Sequence, residues 1–117
     1  MAGILLTKTV VSPHGIHSKA EASGVTTATI VDSATVDVVE WVVKSTDSAN
    51  SANVETAKVI AAHNGATVDY SVSSILRLGT PIDGLTYSVT FSGGNTLELT
   101  ITSTTSVDVK ARRANVL

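Results

Sequence analysis

The chain has 117 residues, 43% hydrophobic but only 3% aromatic, with a net charge of −2 and no cysteine. That length supports one domain with a core of its own and not two ordinary ones. The missing cysteines exclude a disulfide framework and thiol chemistry, and the slight negative charge gives nucleic acid no electrostatic footprint.

Charged residues make up 15% of the chain, below the roughly 25% of an average globular protein. Ser and Thr therefore carry most of the polar surface. Val and Thr abound, and their branching at Cβ favours strands over helices.

Residues 1–11 read MAGILLTKTVV. The apolar run is short, lacks a basic flank and is broken by Thr7 and Lys8, so neither a signal peptide nor a membrane span is expected. No other run approaches the ~20 apolar residues of a transmembrane helix, and no membrane partner is expected. Ile4 to Val11 has strand character. SPHGIHSKAEASG follows, with Pro13, Gly15 and Gly24 as breakers and no apolar periodicity. Residues 1–24 are thus read as an extended N-terminal arm or linker, and 25–117 as the domain. A frayed terminus is the competing reading. Ile4, Leu5 and Leu6, with Val10 and Val11, favour an arm that contacts a neighbouring subunit, because a solvated tail has no use for such a run.

Val25 to Ser33 is Thr-rich and strand-like. In Val36 to Thr46, Val39, Trp41 and Val43 take one face while Glu40 and Lys44 take the other, the period of a half-buried strand. Trp41, the single Trp, is expected to anchor the core. Asp47 to Asn53 reads as a polar loop. Val54 to His63 returns as a strand, with Glu55, Ala57, Val59 and Ala61 opposed to Thr56, Lys58, Ile60 and Ala62. Asn64-Gly65 predicts a type I′ hairpin turn, because both residues tolerate positive φ. Val68 to Leu78 follows and ends at Gly79-Thr80-Pro81. Leu85 to Phe91 and Leu97 to Ile101 alternate around Gly93-Gly94 as a hairpin, and Val107 and Val109 mark a last strand. About eight strands at short spacing, without a convincing helix, predict an all-β antiparallel β-sandwich, jelly-roll-like.

No chemical constellation stands out. His14 and His17 have H-x-x-H spacing, but no cysteine or nearby acid completes a ligand set, so no metal or other cofactor is expected. A Ser–His63–Asp69 triad lacks the sharp nucleophile turn such chemistry needs. Glu40, Glu55, Glu98, Asp37 and Asp108 fall on positions expected to face solvent, which excludes a buried carboxylate pair. Gly93-Gly94 precedes no helix and cannot cradle phosphate by a helix N-terminus. Arg112-Arg113 reads as a solvated strand end, too small a patch for nucleic acid. Catalysis is not expected. The one candidate ligand-facing loop is His63, Asn64, Asp69 and Tyr70.

The motifs have a recognisable order. A strand ends in Val31-Asp32-Ser33, and an aromatic-led strand runs from Trp41 to Thr46-Asp47. The next strand ends in His63-Asn64-Gly65. Asp69-Tyr70 and Leu78-Gly79 follow, then a hairpin from Leu85 to Leu99 and a last strand reaching Arg112. From Val31 to Arg112 this order resembles a β-sandwich module of tailed-bacteriophage virion proteins. The resemblance implies a non-enzymatic structural part located in the virion, either tail- or fibre-associated or decorating the capsid. Its implied partners are other virion proteins (capsid, neck, baseplate or fibre) and further copies of itself, with a homotrimer favoured. The alternative is a carbohydrate-binding β-sandwich that recognises a receptor through Tyr70, Asp69 and the loops near His63.

Overall fold

The computed structural model describes residues 7–11, 19–32, 37–92 and 96–117, and in it the period-two patterns become seven strands. In chain order they are β1 (Thr7–Val11), β2 (Lys19–Asp32), β3 (Val38–Asp47), β4 (Asn50–His63), β5 (Val68–Leu78), β6 (Thr86–Ser92) and β7 (Thr96–Val116). The described residues contain no helix, so the all-β reading holds. All pairings are antiparallel except that of β1, which runs parallel to β2. The sheet order is β1-β2-β7-β3-β4-β5, with β6 also on β7.

Seven strands stand where the sequence predicts eight, because the hairpin strand at Leu97–Ile101 and the final strand at Val107–Val109 are one strand, β7. Thr102 pairs with Thr27 and Val107 with Val25, so residues 103–106 bow out of the ladder. The bow is held by Thr104 N–H donating to the Asp83 carbonyl at 2.9 Å and Ser48 N–H donating to the Ser106 carbonyl at 3.0 Å. At this bow β7 changes neighbours. Up to Thr102 it lies between β2 and β6, and from Val107 it lies between β2 and β3. Bulges let a strand turn a corner without leaving its sheet.

β2 bends at the matching place. Its register slips on either side of Val25, and Gly24 has φ +63, a conformation that costs glycine nothing. The Gly24 N–H donates to Asp108 Oδ1 at 2.8 Å. Gly24 therefore lies inside a strand, not at the end of an arm. Residues 19–24 belong to β2, with Ala20 and Ala22 buried and Glu21 and Ser23 exposed. The period of two is present there but is written in alanines, which an apolar scan passes over. Val10 and Val11 pair with Ile30 and Val31 of the same chain. Ile4, Leu5 and Leu6, along with His14 and His17, lie outside the described residues.

Two further expectations change. Asn50 to Asn53 belong to β4, so only Ser48-Ala49 separate it from β3. The Asp47 carboxylate accepts the Ala49 N–H at 2.9 Å and fixes this tight turn, since a short acidic side chain readily bonds the backbone two residues on. Gly93 and Gly94 lie outside the described residues, but the Ser92–Thr96 register joins β6 and β7 as the expected antiparallel pair.

The bends fold the two halves of the sheet toward one another, so that β6 meets β4 and β5. The core fills the space between. Val39, Trp41 and Val43 of β3 and Val59 of β4 meet Leu97, Leu99 and Ile101 of β7 there, all fully or almost fully buried. Each such side chain contributes roughly 1.5–3 kcal/mol of burial.

Candidate functional site

The predicted ligand loop forms, with a different turn. β4 and β5 are joined by residues 64–67, closed by Asn64 N–H donating to the Thr67 carbonyl at 3.2 Å. Gly65 has φ +90, but Asn64 is not in the positive region, so this is not a type I′ turn. The Asn64 side chain does the closing instead. Its Oδ1 accepts Ala66 N–H at 3.0 Å, Thr67 N–H at 2.8 Å and the Thr67 hydroxyl at 3.2 Å. His63 Nδ1 accepts Gly65 N–H at 3.1 Å, and its ring stacks on Phe91 at 4.3 Å between centroids and 24° between planes.

His63, Asn64, Thr67 and Asp69 line one open depression of about 270 Å³. Tyr70 lines a neighbouring one of about 290 Å³ with Ile60 and Ser71, and Asp69 borders both. The four candidates are thus neighbours, but His63 and Tyr70 do not share a depression. Asn64 and His63 Nδ1 are occupied in holding the turn, and Asp69 Oδ1 accepts the N–H of Tyr70 at 2.9 Å. These bonds position the loop.

A second cluster escapes the sequence reading. Glu55 is expected on a solvated face, yet it is buried. The Tyr87 hydroxyl of β6 donates to its Oε2 at 2.6 Å, and the Arg77 Nε of β5 donates to its Oε1 at 2.8 Å. The Arg77 side chain is 55% exposed and the Glu55 side chain 6%. Burial, and then the bond and charge of Glu55, push the Tyr87 phenol well above its ordinary value, with Arg77 opposing. The correction has a simple reason. Glu55 shares the inward face of β4 with Ala57, Val59 and Ala61, and it is covered because Arg77 and Tyr87 reach it from two other strands. The sequence signal was that shared parity with three apolar residues. Arg113 is likewise buried, so only Arg112 of that pair is an exposed strand end.

A bulge in β5 arranges this. Lys58 pairs with Ser73 and Thr56 with Leu76, so β5 holds one extra residue between them, and Ser74 there has φ +54. One extra residue exchanges the faces of everything after it. Before the bulge, Tyr70 and Val72 oppose the inward Ala61 and Val59. Uninterrupted alternation carries Leu76 and Leu78 inward and Arg77 outward. The bulge reverses this: Arg77 opposes Glu55, while Leu76 and Leu78 stand outside, 66% and 63% exposed. Val54, Val42 and Ile60 lie on the same outer face, the last two also well exposed. Among the described residues β5 pairs only with β4, so no described strand lies on its far edge beside these leucines.

Among the described residues no group of three His, Cys, Asp or Glu could hold a metal. No helix there is long and apolar enough to cross a membrane. Among the described residues the geometry provides a buried polar tie, a loop closed by its own side chains and an apolar edge that no described strand pairs. No protein-family model matches the chain, and no curated protein matches it.

Proposed function

We propose that this chain is a non-enzymatic structural protein of a bacteriophage virion, tail- or fibre-associated or decorating the capsid. In this reading the folded sheet acts as a jelly-roll-like β-sandwich block, and it assembles with further copies of itself and with capsid, neck, baseplate or fibre proteins. A homotrimer is the favoured assembly. The observation that carries the reading is the outward turn of Leu76 and Leu78 on the edge of β5 that no described strand pairs. A long apolar edge left bare invites uncontrolled pairing, so natural sheets cover such edges. A second copy is the covering this reading assigns. The motif order from Val31 to Arg112, carried on β2 to β7, adds the phage likeness.

Light scattering on the purified protein tests it. The expected result is a stable homo-oligomer, and a Leu76→Asp/Leu78→Asp variant that becomes monomeric while keeping its β-sheet circular dichroism and a cooperative melt. A strictly monomeric wild-type protein at high concentration, failing also to bind virion components, would sink the reading.

One observation favours a second reading. Tyr70 is 40% exposed beside Asp69 at the rim of a depression, a combination suited to sugar stacking and hydroxyl bonding. A glycan array without hits removes this carbohydrate-binding alternative.

A further inference from the structure

The outer face of β3, β4 and β7 gathers four of the chain's eight lysines and arginines. Lys44 on β3 and Lys110 on β7 are direct register partners. Arg112 and Lys58 are the two register partners of Val42, one on each side of it. All four side chains are exposed, and none makes an ion pair with another described residue. Neighbouring strands lie about 4.8 Å apart and alternate residues about 7 Å apart along a strand, so these four cations originate within about 12 Å of one another. Like charges placed directly opposite on a sheet destabilise it. Nothing in the core requires that placement, because these positions face away from it.

Three of these cations, Lys44, Lys110 and Arg112, line a depression of about 360 Å³ together with Val42, Val43, Ala111 and Thr56; Lys58 stands outside it. We propose that this depression binds a phosphate group, held between Lys44, Lys110 and Arg112 and bonded by the Thr56 hydroxyl. The lining is mostly apolar, and the ammonium groups of Lys44 and Lys110, the Arg112 guanidinium and the Thr56 hydroxyl are the donors it offers to the oxygens of a phosphate. The margins define the size of the ligand. Glu21 lies across from Lys110 on β2, Glu40 stands two residues from Val42 on β3, and Asp108 stands two residues from Lys110 on β7. Glu21 flanks Lys110 on the side away from Lys44, so these acids stand at the margin and repel a long polyanion running past them more than a compact anion near Lys44 and Arg112. No Trp, Tyr or Phe lies on this face to stack a base, which separates it from single-strand nucleic-acid platforms. A second copy docked by the same face would set these cations against their own equivalents. Thr56 is the register partner of Leu76, so the depression adjoins the surface assigned to a second copy, and the test keeps Leu76 and Leu78 unchanged.

Titration of the full chain with inorganic pyrophosphate, followed by amide NMR shifts and by thermal melting, tests the proposal. The expected shifts cluster at 42–44, 56 and 110–112, and the melting temperature rises with ligand. A Lys44→Gln/Lys110→Gln variant is expected to bind at least about tenfold more weakly. Glucose 6-phosphate, run in parallel, distinguishes the source. Comparable binding assigns a phosphorylated saccharide, and binding of pyrophosphate alone assigns a free phosphate ligand. The proposal is overturned by any of three results: no response up to about 10 mM ligand, the same response to sodium chloride of equal ionic strength, or a double-Gln variant that binds like wild type.

Discussion

β6 is tied to β4 at two places, one near each end of that strand, and the two ties differ in kind. At one end Tyr87 donates to the buried Glu55 carboxylate, which Arg77 also holds. At the other, Phe91 lies against the half-buried His63 ring beside the 64–67 loop. A hydrogen bond to a carboxylate inside the protein is directional and costly to lose, so it fixes the position of β6 over β4. A ring stack at the rim tolerates sliding and is worth roughly 0.5–1.5 kcal/mol. The molecule therefore places its specificity at the Glu55 end and leaves the loop end adaptable.

The largest test of that contrast is Glu55→Ala. It strands the Tyr87 hydroxyl and opens a small cavity, and it is expected to cost about 2–3 kcal/mol in urea unfolding. Arg77 is too exposed to add much to that figure.

Tyr87→Phe comes next, at about 1.5 kcal/mol, by leaving Glu55 short of one donor. It also carries a pH signature. The folded phenol is held well above its ordinary value of 10.0, while the unfolded one is not. Above pH 10 the unfolded chain loses this proton first, so its stabilising contribution is complete below that pH and declines as pH rises beyond it. Melting curves between pH 9 and 11 are expected to show a steeper alkaline fall for wild type than for Tyr87→Phe. Equal slopes would mean that burial and the Glu55 bond do not hold the phenol above its ordinary value.

At the other end, His63→Ala is expected to cost only about 0.5–1 kcal/mol, through the lost stack and the lost Gly65 contact. A loss as large as that of Glu55→Ala would erase the distinction between the two ties. The smallest effect has the opposite sign. Ser74→Gly relieves the positive φ at the bulge and is expected to stabilise by about 0.5 kcal/mol, keeping Arg77 on Glu55. If it destabilises instead, the Ser74 side chain supports the bulge and strain there is not the governing term.

These ties were half legible in the sequence. The loop end was visible, because Asn64-Gly65 breaks two strand-like runs and His63 stands beside it. Its turn geometry was not, because Asn64 closes the loop with its side chain while its own φ stays negative. Glu55 was placed on the correct strand and with the correct neighbours Ala57, Val59 and Ala61. Its charge argued for solvent, and nothing local indicates that Arg77 and Tyr87 converge on it from 22 and 32 residues away. The cationic depression was invisible for the same reason. Lys44 is far along the chain from Lys110 and Arg112 and meets them only through the register of β3 with β7.

The sequence alone determined the strands and their parity: Val39, Trp41 and Val43 inward, β6 and β7 as a hairpin, no helix. Period-two patterning is a local property, and burial of one face follows from it wherever register runs unbroken. Tertiary structure decided what happens at the breaks. It merged two predicted strands into β7, drew residues 19–24 into the core, and used one extra residue at Ser74 to send Arg77 inward and two leucines outward. A bulge depends on which strand lies alongside, so its consequences for the inner and outer faces are settled only when the strands pair.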